Sequence, residues 1–253
     1  MELVIGFLIA VSIGLTGVGG GVITAPVLIL FLGMPAAEAV GTSLIFVAAV
    51  KTLAVPVYLS RKQVDFRVLW YLLLGGVPGV IAGSTLLARL QTGRSGAIVV
   101  TVVGGIVIFS AALTIWRYFR EKSGQPTKEN SPKKLSVAAG LIGAEVGFSS
   151  AGAGALGTLA LFHFSKLTTA EIVGTDLMFG FVLALIGGGW HFAHGSFVAP
   201  VVIKLIAGGA VGALAGAYLG GFIPRQKLRF AMSVWLVWLG WQLCSRGWGA
   251  LWT

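Results

Sequence analysis

The residues in this chain whose spacing suggests chemistry are mostly glycines. Five fall between Gly14 and Gly21, in the stretch GLTGVGGGVITAP. Each weakens a helix by about 1 kcal/mol relative to alanine. A second group sits in GFSSAGAGALGTL, residues 147–159. Where such a break starts a new helix, the first N–H groups have no intrahelical partners and the dipole end is positive. Glycine also removes the side chains that would hold a ligand away. The result is an anion cradle built from backbone. Gly17, Gly19, Gly20 and Gly21 form one candidate cradle. Gly152 and Gly154, with Ser149 and Ser150, form the other. The helix that ends at each break presents carbonyls, so a cation site is one alternative. Close packing of small residues is the second.

Polar side chains within apolar sequence complete the candidate set. Thr42, Ser43 and Thr175 lie six to eight residues into the following helices, roughly 9–12 Å along them, and could add donors. Hydroxyls also bond to their own helix backbone. Asp176 is about 12 Å into its segment, and Glu145 has similar depth. An ionisable group there is a candidate for function, in this case for carrying a coupled proton. The alternative is a structural pair with a hydroxyl or lysine. Lys51 points either into an anion path or out toward the basic side. Glu38 and Glu171 read as helix caps, Glu171 within the capping box that Thr168 opens. His163, His191 and His194 sit near segment ends and read as interfacial. They lack metal-binding spacing, so no metal and no cofactor are expected.

The elements that position these residues are long apolar blocks. The 253-residue chain is 57% hydrophobic and 10% charged, with mean hydropathy +0.94. The blocks run 4–33, 36–59, 66–90, 95–118, 136–165, 168–194, 198–223 and 227–245. Each is long enough to cross about 30 Å of hydrocarbon as a helix. A transmembrane barrel would alternate in ten-residue strands instead. The fold class is an all-α polytopic membrane protein. The first block lacks a basic leader region and reads as mature structure. Cys244 is the single cysteine, which excludes a disulfide within the chain. The net charge of +10 belongs to membrane loops rather than to a nucleic-acid interface.

Shifted by 133 residues, the chain matches itself without gaps. AAEAVGTSL (36–44) overlies TAEIVGTDL (169–177), and GGVPGVIAGSTL (75–86) overlies GGAVGALAGAYL (208–219). Two membrane repeats are expected, 1–118 and 135–253, joined by a polar linker at 119–134. If every block crosses once, basic residues divide ten against six. If blocks one and five enter and return on one side, they divide thirteen against three. The second arrangement obeys the positive-inside rule. It places the 60–67 and 119–134 loops in the cytoplasm and both termini outside a cell (inner) membrane. Each repeat then holds a broken, re-entrant hairpin plus three transmembrane helices. Three crossings per half invert the repeats and bring the glycine tips together near the midplane. One long kinked helix per block is the alternative.

The motifs GLTGVGGGVITAPVL, AEAVGTSL and AEIVGTDL, with the duplicated layout, resemble the TauE/SafE sulfite exporter family over nearly the whole chain. The resemblance implies a substrate among small sulfur-containing anions such as sulfite, sulfonates and sulfoacetate. The second tip reads SSAGAG where the first reads GVGGG, so the halves need not bind equally.

The leading expectation is a secondary transporter working by alternating access, proton-coupled through Asp176 or Glu145. The chain has no Walker-type motif for an ATP-driven pump. A passive anion channel is the alternative, followed by an intramembrane enzyme, for which no catalytic spacing is present. The expected partners are a small anionic substrate and the lipid bilayer, with no nucleic acid. A homo-oligomer is left open.

Overall fold

The computed structural model describes residues 1–16, 20–90, 94–120, 131–151, 154–219 and 225–249, all built from helices and their connections. Ten helices follow in order: α1 (Glu2–Thr16), α2 (Gly21–Leu32), α3 (Ala36–Ser60), α4 (Phe66–Arg89), α5 (Arg94–Arg120), α6 (Pro132–Ser149), α7 (Ala155–Phe164), α8 (Thr169–Ala193), α9 (Ala199–Leu219) and α10 (Arg225–Gly249). Among the described residues, α3, α4, α8 and Gly96–Trp116 of α5 are long and apolar enough to span a membrane. The bundle is apolar outside as well as inside. Leu3, Trp70, Leu141 and Trp241 are exposed, while Phe46, Phe179 and Leu183 fill the core. A continuous exposed apolar surface suits hydrocarbon.

The first and fifth blocks both break at their glycines. α1, α2 and α7 have 15, 12 and 10 residues. They reach about 22, 18 and 15 Å, short of a bilayer. α6 ends at Ser150, whose φ of 64° puts a non-glycine residue in the left-handed region. Of the linker, residues 121–130 lie outside the described residues.

The 133-residue offset is carried by specific contacts. A Cβ on Gly75 would overlap the Ser136 carbonyl, and one on Gly208 would overlap the Leu3 carbonyl. Gly79 meets the Gly140 carbonyl just as Gly212 meets the Phe7 carbonyl. In each case both partners shift by 133. The rising numbers on both sides make α4 parallel to α6 and α9 parallel to α1. Glycine is required at these crossings because carbonyl oxygens occupy the space a side chain would need. The residues that close the two α-helices before α4 and α9 also correspond: Lys62 and Gly195 have φ of 52° and 66°.

Equivalent helices run antiparallel. Gly41 near the start of α3 packs on His191 and the Ser196 carbonyl, beyond the end of α8. Gly174 near the start of α8 packs on Gln63, beyond the end of α3. α5 and α10 cross the same way, Gly104 against Cys244 and Gly247 against Thr101. The two ends of the second broken block lie together. Ser131 N–H donates to the Phe164 carbonyl at 3.4 Å, so α6 starts where α7 finishes. Arg67, Pro132, Phe164, Lys166 and Glu171 share a cavity of about 410 Å³ at that end. At the other end, Glu2 pairs with Lys204 at 3.6 Å, and Arg246 Nη1 donates to the Leu30 carbonyl at 3.1 Å.

The caps are a mixed outcome. Thr168 and Glu171 form the expected capping box. Pro35 has no side-chain acceptor, so Glu38 does not complete one. α4 is capped instead by Asp65, whose Oδ1 accepts from Val68 N–H at 2.9 Å.

Candidate functional site

The two helix breaks touch. A Cβ on Gly21, at the start of α2, would collide with the carbonyl and hydroxyl of Ser150, at the end of α6. Ser150 Oγ is 2.7 Å from Ser43 Oγ on α3. Ser149 Oγ donates to the Glu145 carbonyl at 3.0 Å and accepts from Ala151 N–H at 3.2 Å. Ser43 and Ser149 are fully buried, and Ser150 nearly so. Gly20 precedes α2, and its carbonyl accepts from both Thr24 N–H at 3.0 Å and Thr24 Oγ1 at 2.7 Å. The carbonyl is therefore saturated, while the first N–H groups of α2 begin at the contact with Ser150. Glycine at the cap position leaves no side chain over them. Gly17, Gly19 and Gly152 lie outside the described residues.

A second polar group surrounds the other break. Thr158 Oγ1 is 2.7 Å from Asp176 Oδ2 and 2.5 Å from the Gly154 carbonyl. Gly157 lies so close to Asp176 Oδ1 that a Cβ there would overlap it. Asp176 is 7% exposed and Lys51 is 6% exposed. Lys51 stands on α3 and Asp176 on α8, two helices packed against each other. Lys51 is buried rather than extended to the surface, one of the two orientations the sequence allowed. The acid stands on one repeat only, because its counterpart by offset is Ser43.

Other candidates are placed apart from these groups. Thr42 Oγ1 accepts from Val198 N–H at 3.1 Å, and Thr175 Oγ1 accepts from Asp65 N–H at 3.0 Å. Both the threonines and their partners are related by the 133-residue offset. In a capping box, the N-cap residue's own N–H is taken by a glutamate three residues on. Here a threonine of the opposite repeat takes it, at opposite ends of the bundle. Glu145 meets α5, where its Oε1 accepts from Ser110 Oγ at 3.1 Å.

His191 is a correction. Depth along its segment reads as interfacial, yet it is 0% exposed within the bundle. The missing side chain of Gly41 makes room for its ring. His163 and His194 are exposed. Among the described residues, no cluster of three His, Cys, Asp or Glu side chains could hold a metal ion.

Known proteins place the chain. Its residues 3–243 match the family model described as sulfite exporter TauE/SafE. It is 27% identical over 240 residues to the probable membrane transporter protein YjnA of Bacillus subtilis, covering 91% of this chain and 94% of that protein. It is 26% identical to the probable membrane transporter protein YdhB of the same organism, covering 89% and 92%. A probable membrane transporter protein of Xylella fastidiosa is 32% identical over 41% of this chain and 39% of its own length. No solved structure matches the chain significantly. With ten helices among the described residues, helix breaks in contact and a family match over almost its full length, the chain belongs to the TauE/SafE sulfite exporter family of membrane transporters.

Proposed function

We propose that this transporter carries a small sulfur-containing anion of the sulfite, sulfonate or sulfoacetate type, by alternating access of two inverted repeats. The observation that carries the reading is the contact between the breaks, where Gly21 meets Ser150 and Ser150 meets Ser43. The start of α2 and buried hydroxyls meet there, groups of the kind that suit an oxyanion. The family description supports sulfur chemistry over carboxylates. The antiparallel pairing of equivalent helices supports inversion. The 60–67 and 119–134 loops then face the cytoplasm, with both termini outside. Proton coupling falls to Asp176, which is buried, or to the half-buried Glu145.

The test is flux into proteoliposomes for sulfite, thiosulfate, sulfate, sulfoacetate, taurine and simple carboxylates, with and without a pH gradient. Saturable uptake of a sulfur anion with counterflow exchange is expected, faster with an inward proton gradient. Flux that never saturates and shows no counterflow overturns the carrier reading in favour of a channel. Gly20→Leu drives a side chain toward Ile13 and Val47. It is expected to abolish uptake while the protein still reaches the membrane. Unchanged uptake removes the break from the site.

A further inference from the structure

Three helices begin at one end of the bundle. α4, α6 and α8 start at Phe66, Pro132 and Thr169, around the cavity of about 410 Å³. α4 and α8 are long and apolar enough to span a membrane, so the cavity lies at the level where they leave the hydrocarbon.

The lining carries four charged side chains, Asp65, Arg67, Lys166 and Glu171. The two acids are engaged by their own helices. Asp65 Oδ1 accepts from Val68 N–H at 2.9 Å. Glu171 Oε2 accepts from the N–H and the hydroxyl of Thr168 at 2.8 and 2.7 Å. Both cations are exposed, and among the described residues neither has an ion-pair partner. The starts of three helices add positive potential. The charge on offer to a ligand is therefore positive, from a guanidinium fork and an ammonium, groups that hold phosphate. The other repeat lacks this arrangement. By the 133-residue offset, Arg67 corresponds to Pro200 and Lys166 to Gly33. Lys204, the counterpart of Tyr71 in the cavity lining, is paired with Glu2.

An apolar surface runs from the cavity along the bundle. Phe66, Trp70 and Leu74 are exposed at four-residue spacing on α4, so they share one face. Val137 and Leu141 are exposed on α6, which packs along α4. Accessible cations beside hydrocarbon-facing side chains match a molecule with a phosphate head and acyl tails. A basic pocket between helices at the membrane surface is suited to an anionic lipid headgroup.

We propose that this cavity binds an anionic phospholipid, its phosphate on Arg67 and Lys166 and its acyl chains on the exposed faces of α4 and α6. The 18 residues of α6 put about 27 Å between this site and the contact at Ser150. The site does not depend on which anion is transported.

The test measures binding of dioctanoyl phosphatidylglycerol, phosphatidylethanolamine and phosphatidylcholine to the full chain in detergent by thermophoresis, with empty micelles as the reference for partitioning. The wild type is expected to bind phosphatidylglycerol at least tenfold more tightly than either zwitterionic lipid. Arg67→Gln and Lys166→Gln are each expected to weaken it severalfold, and together to bring it to the level of phosphatidylcholine. Arg89→Gln removes the same charge at the far end of α4 and is expected to leave the preference intact. Inorganic phosphate is expected to displace the lipid no better than chloride of equal ionic strength. Equal binding of the three lipids by the wild type overturns the proposal. So does a preference that survives the double variant, or one that Arg89→Gln weakens as much as Arg67→Gln does. Displacement by phosphate beyond that by chloride would assign the cavity to a free anion instead and overturn the lipid. Should the double variant fail to fold, the wild-type ratios and the single variants still decide the matter.

Discussion

Asp176 shows how closely one residue's surroundings are fitted. Its Oδ2 takes the hydroxyl of Thr158, and its Oδ1 occupies the space where any side chain at position 157 would begin. Glycine at 157 is needed for that approach, not for an unusual backbone angle. Gly157→Ala is therefore expected to push the carboxyl off Thr158 and cut transport by an order of magnitude, with the protein still inserted. Gly189→Ala is the control, because its Cβ meets nothing within 4 Å. Uptake by Gly157→Ala equal to that of the control would mean that the carboxyl's position is immaterial. The presence of a buried acid was legible in the sequence, since a charge eight residues into an apolar block has nowhere polar to go. His191 was not legible in this way. Depth along a helix separates membrane from interface, but it does not say whether a neighbouring helix offers a glycine, as Gly41 does, to admit a ring.

At the scale of elements, the two threonine caps tie each repeat to the other. Thr42 holds the N–H of Val198 just before α9, and Thr175 holds that of Asp65 just before α4. The repeated GT motif was visible in the sequence, and so were the depths of its threonines. Their partners were hidden, because the loops at 65 and 198 reach those hydroxyls only when α3 and α8 run antiparallel. Valine keeps the shape of threonine and removes the acceptor. Leaving one N–H unpaired costs about 1–3 kcal/mol. For a chain of this size the unfolding midpoint falls by about 2–4 °C per kcal/mol. Thr42→Val and Thr175→Val are expected to lower the midpoint of the detergent-purified protein by similar amounts, as equivalence by offset requires. A loss from one variant and none from the other would show that one of the caps is dispensable.

Across the whole molecule, the repeats are intertwined rather than set side by side. α1 of the first repeat packs along α9 of the second, and α6 of the second packs along α4 of the first, through glycines in carbonyl contact. Neither repeat alone covers these glycine faces, and in hydrocarbon such faces are stabilised by close packing rather than by the hydrophobic effect. Self-similarity predicts two repeats, and the charge count predicts their inversion. Neither could reveal the exchange of partners, because the match aligns each half with the other and says nothing about which faces meet. The physical consequence concerns assembly. Residues 1–118 and 135–253 expressed separately are expected to be degraded or to aggregate, since each lacks the surface its first helix needs. Expressed together as two chains, they are expected to co-purify from the membrane and to recover transport, because the contacts that join them do not run through the linker. Either half accumulating alone as a stable, monodisperse membrane protein would show that the cross-repeat glycine contacts are not what holds the fold.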